Sequence, residues 1–452
     1  MQLEIEKELH LTLQELQRIF SNKQIQKWAK ETGFLKRKTK LRPEHFLLVC
    51  SFLGESFGEK SLVQLCAQLC ASFGVEITAE GLNQRFNSRG VEFLKKVFQA
   101  LFRKQLSEPF TEKRLFNRIR ILDSSSFDLP VYYPEYKGPN GSGIKIQLEY
   151  ELYQGKFLNL LIQNGKENDN KYPKVIRDHI EPGDLCLRDL GYFSINNLID
   201  INQRGGYFLS RIKNNTNLYK QNEAGKWEKI DLKEETKALQ PGEIMELHNI
   251  RIGSLRKEQL ITRVIITKLT KEQEAKRQAY LNKKKKKGKN TLSAQKNISV
   301  NIHVTNIPQK QVAKEEIYSL YSLRWQIEIL FKTWKSLFHI HRVKKMKKER
   351  FECHLYGTLI QLLLCSTLAF QCRRALYIEH QMETSEYKSI SITKECLASF
   401  KEVLFKKNSL IIIGKRVYQS IKINGRKCRK QRKKTVFDIL EILYEETVLK
   451  IA

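Results

Sequence analysis

The chain has 452 residues, 41% hydrophobic and 10% aromatic, which is enough apolar material for two or three domains with a sizeable core and excludes a disordered polymer. A formal net charge of +32 argues for a polyanionic partner, most simply DNA, bound in a strongly salt-dependent way. On charge alone, RNA or an anionic membrane surface would serve as well.

Nine cysteines, an odd number and without a C-x-x-C pair, read as reduced thiols of a cytosolic protein. Cys66 and Cys70 sit one helical turn apart among Leu and Ala and read as core, and the adjacent Cys353 and His354 have no second pair to complete a zinc set. The first ten residues, MQLEIEKELH, are polar and mixed in charge, unlike a signal peptide.

Residues 1–112 read as all-helical. Ser21 or Asn22 caps KQIQKWAKETGF and Gly33 closes it, 41–57 and 61–73 are apolar-periodic, and Thr78 opens the segment that runs to Leu106. Small helices with Lys and Arg on their polar faces suit a helical DNA-binding domain, helix-turn-helix readers included, and equally suit a scaffold that touches no bases.

From Arg118 the pattern changes to strands. RIRIL leads into Asp123 and then a Ser-rich stretch, which predicts Asp123 at the C-terminal edge of a strand with a turn after it. Read alone, it is better explained by an Asx turn in which Asp123 bonds the following amides. Asp128 is a rival acid, placed before Pro130. GIKIQLEYEL (143–152) and KFLNLLIQNG (156–165) are two further strands joined by a short turn. PKVIRDHI is helix-like, DLCLRD is an apolar run ending at Asp189 with Gly191 and Tyr192 beyond, SINNLIDINQRG is a helix with Ser194 as cap, and GGYFLSRIK is a strand.

Residues 212–310 alternate strand-like runs with turns and read as a β-rich insertion. Its loop LNKKKKKGKN holds five consecutive lysines, Lys283, Lys284, Lys285, Lys286 and Lys287, expected to be a solvated loop that also tracks phosphate. The segment 321–335, YSLRWQIEILFKTWK, has no Pro or Gly and reads as one helix. At about 100° per residue, Tyr321, Arg324, Glu328 and Lys335 fall within roughly 60° of one another, opposite an apolar stripe of Leu320, Leu323, Ile327, Leu330, Trp334 and Leu337. After it come a basic stretch, a buried helix at 355–370, too short and too polar for a membrane span, and a tail with seven basic residues among positions 426–434. VFDILEILYEE near the end reads as a short amphipathic helix.

The spacing Y-x-x-R-x-x-x-E-x-x-x-x-x-x-K resembles the third-acid helix of bacterial insertion-sequence transposases of the DDE type, in the branch named for Tyr-Arg-Glu-Lys. Asp123 in D-S-S and Asp189 in D-x-G-Y stand upstream in contexts similar to that family's other two acids. The likeness is specific over about 115–345 and general elsewhere. Gln147 departs from it, standing where relatives commonly have His. The resemblance implies an α/β RNase H-like core, a mixed five-stranded sheet with flanking helices, with an all-α N-terminal domain and a β-rich insertion. The implied layout is 1–112 helical DNA-binding, 113–211 first part of the core, 212–310 insertion, 311–404 second part of the core, and 405–452 basic tail.

It also implies the chemistry. Asp123, Asp189 and Glu328 would be catalytic and hold two Mg²⁺ (or Mn²⁺) ions about 3.5–4 Å apart, Asp123 bridging both. Oxygen-only ligands suit those ions and not zinc. Tyr321, Arg324 and Lys335 would contact DNA phosphates, and Arg211 would be a basic residue at the entry to the insertion. The expected reaction is cleavage of double-stranded DNA at the element's ends and joining of the freed 3′-hydroxyl to target DNA by a cytoplasmic homodimer. Relatives form a hairpin and hold a flipped base on an aromatic of the insertion, for which Trp227 is a candidate by residue type only, a core role suiting it better. The alternatives are a nuclease of the same fold that cuts without joining and a non-catalytic DNA-binding derivative. RNA binding is disfavoured by the absence of an aromatic RNA-binding signature.

Overall fold

The computed structural model describes residues 2–37, 39–52, 57–106, 115–213, 216–253, 260–286, 298–397, 409–427, 436 and 439. Lys287, most of the basic tail and nearly all of VFDILEILYEE lie outside them.

The N-terminal helices are α1 (Gln2–Ile19), α2 (Asn22–Glu31), α3 (Pro43–Ser51), α4 (Leu62–Phe73), α5 (Ala79–Arg85) and α6 (Ser88–Leu106). Their ends follow from side-chain chemistry. Ser21 accepts the Gln24 N–H, Ser61 and Gln64 form a reciprocal capping box, and Thr78 accepts the Gly81 N–H. The segment from Thr78 breaks at Phe86, and Asn87 caps α6 by accepting the Gly90 N–H at 3.0 Å.

The strands are β1 (Ile119–Asp128), β2 (Lys137–Gly138), β3 (Gly141–Glu151), β4 (Lys156–Asn164), β5 (Leu185–Arg188), β6 (Tyr207–Arg211), β7 (Leu218–Gln221), β8 (Trp227–Lys229), β9 (Ile244–Ile252), β10 (Leu260–Lys268) and β11 (Val300–Thr305). In place of a five-stranded sheet beside a separate β-rich unit, they form one 11-stranded sheet in the order β2-β3-β1-β5-β6-β11-β10-β9-β7-β8, with β4 on β3. The join is the antiparallel β6–β11 ladder, Arg211↔His303 to Leu209↔Thr305. Within the sheet, β4-β3-β1-β5-β6 is mixed, β1–β5 and β5–β6 being parallel and β1–β3 antiparallel. With its flanking helices it fits an RNase H-like core.

Both faces of this sheet are covered, so its central strands are buried on both sides, polar residues included. Ile119 and Ile121 of β1 enter the large core on one face, while Leu122 packs with Tyr172, Ile176 and Tyr192 on the other. The second face is covered by α7 (Tyr172–Ile176) and α8 (Ile195–Gln203), and the strands beyond β6 are accompanied by α9 (Leu232–Glu235) and α10 (Lys271–Lys286). Ser194 holds the N-cap position of α8 without a side-chain capping bond. That face also buries charge. Arg120 pairs with Glu149 at 2.8 Å and Asp184 at 2.9 Å, and Asn159 donates to Glu149 at 2.7 Å. With every carboxylate partnered, the burial cost is offset.

After β11 come α11 (Ile317–Ser322), α12 (Trp325–Ser336), α13 (Lys348–His380), α14 (Glu386–Leu397) and α15 (Ser409–Asn424). The expected helix at 355–370 is the middle of α13, which has 33 residues. By length and hydropathy α13 is able to cross a membrane, yet 78% of its apolar window is buried inside the protein. It packs on α6, α14 and α3, so the N-terminal helices share the core of the sheet. The described cysteines are free.

Gly357 permits the closest approach of α13 to α3. A Cβ there would lie 2.2 Å from the Cys50 carbonyl oxygen, and backbone cannot step aside as a flexible side chain does. Gly357→Ala is expected to lower stability by about 2–3 kcal/mol, read as a lower urea midpoint. An unchanged midpoint would mean that the two helices separate freely.

Candidate active site

The parallel ladder between β1 and β5 ends at Leu122↔Arg188. The next residue on each chain segment is an aspartate, so Asp123 and Asp189 leave the ladder side by side. Asp123 does not end its strand. The expected Ser-rich turn is instead extended, because β3 is long enough to pair with β1 as far as Asp128↔Gly143. Asp128 lies exposed at the far end of β1, five residues beyond Asp123. Asp189 is in extended conformation just past β5 and leads a 3₁₀ turn, Leu190–Tyr192. Its carboxylate makes no capping bond and stays available.

Glu328 comes from the first turn of α12, which packs against β1. Ile327, Leu330 and Trp334 are buried as the apolar stripe predicts, while Leu337 is half-buried. The segment 321–335 is, however, two helices and not one. At the junction Arg324 N–H donates to the Tyr321 carbonyl at 3.1 Å and Gln326 N–H to the Leu323 carbonyl at 3.0 Å. These three-residue spacings are 3₁₀ geometry. The tight turn occurs where Arg324 is drawn inward against acids from three elements.

Arg324 lies at the centre of the site. Its Nη1 is 2.8 Å from Glu328 Oε1 and 3.8 Å from Asp123 Oδ2, and its Nε is 3.7 Å from Asp189 Oδ1. The side chain is 8% exposed. Among the described residues no group of three His, Cys, Asp or Glu side chains stands ready to hold a metal ion; the three acids share this guanidinium instead. The donor set nevertheless fits a hard divalent cation. All three side chains are carboxylates and they converge on one positive charge. Burial pushes the Asp123 carboxyl up to about 6, the Ser124 amide and Arg324 opposing the rise and Asp189 and Glu328 adding to it.

The other expected residues divide by exposure. Tyr321 is buried. Its hydroxyl donates to the Arg188 carbonyl at 3.4 Å, its ring meets His303 edge-on at 4.9 Å, and burial raises it to about 12. Lys335 donates to the Ser126 carbonyl at 3.1 Å, and burial lowers its pKa. Arg211 ends β6 opposite His303. Lys283, Lys284, Lys285 and Lys286 are not in a loop but in the last turns of a helix, α10 (Lys271–Lys286), and Lys287 lies outside the described residues. The helix is accounted for by the strong helix formers that precede the lysines, KEQEAKRQAYLN. Trp227 is half-buried with Arg251 over its ring at 5.7 Å.

Two residues escaped the sequence reading. Trp325 is 55% exposed with Arg324 over its ring at 5.1 Å. At 100° per residue it falls next to the Tyr321–Lys335 face, so the signal was present. Asp169 accepts from Ser124 and Gln147. Its surroundings, ENDNK, read only as a turn, and no local signal marks it.

Residues 114–364 match the family described as "Transposase DDE domain". The chain is 40% identical over 476 residues to the transposase for insertion sequence element IS231C of Bacillus thuringiensis subsp. berliner, an alignment covering 100% of this chain and 99% of that one. It is 36% identical over 465 residues to the transposase for insertion sequence element IS1151 of Clostridium perfringens, covering 98% of each. A piggyBac transposase synaptic complex with hairpin DNA aligns with 97% of this chain and 89% of its own at a TM-score of 0.46 and 12% identity, a likeness too low to bear on function.

Proposed function

The chain belongs to the DDE transposases, enzymes of DNA transposition, and on that footing we propose that Asp123, Asp189 and Glu328 are its catalytic carboxylates, cutting DNA at the ends of its insertion sequence and joining the 3′-hydroxyl ends to target DNA. The observation that carries this reading is the convergence of the three acids, from β1, the end of β5 and α12, on the Arg324 guanidinium. Divalent-metal dependence comes with the family; two Mg²⁺ or Mn²⁺ ions per site are part of the proposal. Such ions, when bound, lower the cost of deprotonating the attacking oxygen and stabilise the leaving one.

The chain's own residues then have separable tasks. Asp123, Asp189 and Glu328 would together hold the cations, Asp123 and Asp189 from the end of the β1–β5 ladder and Glu328 from α12. Arg324 offsets part of the charge of the three carboxylates in the resting protein and, with cations bound there, would be free to hold a phosphate beside them. Lys335, bonded to the β1 backbone three residues beyond Asp123, guides the neighbouring phosphate. Trp325 offers an exposed aromatic face to a base. The N-terminal helices read the element's ends, the sheet strands from β4 to β6 form the RNase H-like core, and residues 212–310 extend it as a DNA-gripping insertion. A homodimer acting in the cytoplasm, with both ends cut together, completes the proposal.

The test is to incubate the full chain with linear DNA carrying the element's own ends, in Mg²⁺, Mn²⁺ or EDTA. End cleavage plus joined products, both lost in EDTA, supports the reading. Cutting without joining makes the protein a nuclease, and binding without either reaction removes the catalytic assignment. Lys335→Ala is expected to weaken end binding about tenfold and to reduce the slope of log K against log salt by about one, as loss of one phosphate contact requires. An unchanged slope would place Lys335 off the DNA.

A further inference from the structure

We propose that Asp169 is a positioning residue that fixes the two catalytic aspartates relative to each other, an inference that rests on the assignment of Asp123 and Asp189 as metal-holding residues.

The need for such a device arises from the sheet. Hydrogen bonding between β1 and β5 stops at Leu122↔Arg188, one residue short of both acids. On the β1 side Asp123 is still held by the β3 ladder. On the β5 side Asp189 has already left its strand for a 3₁₀ turn. Their separation, on which a shared cation depends, is therefore not set by the ladder itself.

A hydrogen-bonded chain on the far face of the sheet spans this gap. The Ser124 N–H donates to Asp123 Oδ1 at 2.8 Å, and the Ser124 hydroxyl donates to Asp169 Oδ1 at 3.1 Å. The same oxygen accepts from Gln147 Nε2 at 2.8 Å, and Gln147 Oε1 accepts from the Tyr192 hydroxyl at 2.5 Å. Tyr192 closes the 3₁₀ turn that Asp189 leads. The path runs from Asp123 through Ser124, Asp169, Gln147 and Tyr192 back to Asp189, with Asp169 as its central acceptor.

The chemistry of each link suits alignment. Gln147 is fully buried and Tyr192 is 2% exposed, so neither exchanges its partner for water, and each hydrogen bond is worth more than at the surface. Asp169 is neutralised locally by Lys145 Nζ at 3.1 Å, which also donates to the Glu167 carbonyl at 2.6 Å. With that counter-charge Asp169 does not compete for the cation. Only a residue with an acceptor oxygen at this point, and an amide at 147 that donates on one side while accepting on the other, completes the path. Outer groups that orient metal-holding side chains typically contribute 10–100-fold to metal affinity.

The experiment titrates Mn²⁺, followed by electron paramagnetic resonance, into full-length protein bound to pre-cleaved end DNA that lacks the 3′-hydroxyl. Asp169→Ala is expected to weaken Mn²⁺ binding at least tenfold, while end binding in EDTA stays unchanged. Asp169→Asn keeps the Oδ1 acceptor and is expected to return within about threefold of wild type, which a role in stability alone does not predict. Tyr192→Phe, which deletes one hydroxyl, is expected to weaken Mn²⁺ about threefold and carries the test if Asp169→Ala fails to fold. Wild-type Mn²⁺ affinity in Asp169→Ala, or in Tyr192→Phe where the first variant does not fold, overturns the proposal. If the wild type itself neither binds Mn²⁺ nor cuts DNA, the functional assignment fails first, so the two failures are distinguishable.

Discussion

Glu328→Gln is expected to lower the rates of end cleavage and of joining by about 10³-fold or more, with end binding in EDTA within about threefold of wild type. Glutamine keeps the length and one oxygen of the side chain but not its charge. In a site whose ligands are all carboxylates, loss of one formal charge removes both metal affinity and the electrostatic stabilisation of the leaving oxygen, together worth several kcal/mol. The fold has little stake in the change. Glu328 is 37% exposed, and α12 is anchored by Ile327, Leu330 and Trp334 on its other face. Single-turnover cleavage of labelled end DNA checks it. Substantial residual cleavage would mean that the third acid lies elsewhere.

A second expected result concerns stability. At pH 7.5 in EDTA, Asp123→Asn is expected to be more stable than wild type, by on the order of 2 kcal/mol. The sign follows from the raised pKa of about 6. A buried acid whose folded pKa exceeds its unfolded one stabilises the fold most when protonated, below the ordinary value of 3.8, and loses that contribution as pH rises through about 6. The amide has no such loss, so the variant's advantage grows between pH 4 and 7.5. Mn²⁺ should reverse the order, stabilising the wild type and leaving the variant nearly unmoved. Urea unfolding at both pH values, with and without Mn²⁺, checks it. A variant less stable than wild type at pH 7.5 in EDTA would mean that Arg324 outweighs burial at Asp123.

The three proposed acids could be singled out in the sequence because each stands in a motif that resembles the family's, D-S-S at Asp123, D-x-G-Y at Asp189 and Y-x-x-R-x-x-x-E at Glu328; the strand and helix patterns around them did not single them out alone. What escaped was decided by partners distant in sequence. Ser124 to Ser126 have turn chemistry, but β3 offers them a ladder, and the ladder wins. The insertion strands look self-contained until β11 is seen to pair with β6, the strand that precedes the insertion. The ends of α13 carry Arg350 and Arg373, which argue for surface until Arg350 is seen donating to the Lys60 carbonyl at 2.6 Å and Arg373 lying 3.6 Å from Glu386. A helical wheel puts Arg324 beside Glu328, but only the strands reveal it as the counter-charge of all three acids.

The order in which the ribosome delivers these parts has a consequence for the cell. Synthesis proceeds at ~5–20 residues per second, so Asp123 emerges many seconds before Glu328, and the sheet stays incomplete until β11 follows to close on β6. Through that interval the nascent chain carries the N-terminal helices but not Glu328, the third of the proposed acids. The apolar faces of α3 and α6 also wait for α13, their packing partner, and are the surfaces a chaperone would meet first. On the proposed assignment, cutting competence is thus a property of the nearly finished chain, because a chain stopped before α12 lacks both Glu328 and the α13 that completes the core around α3 and α6.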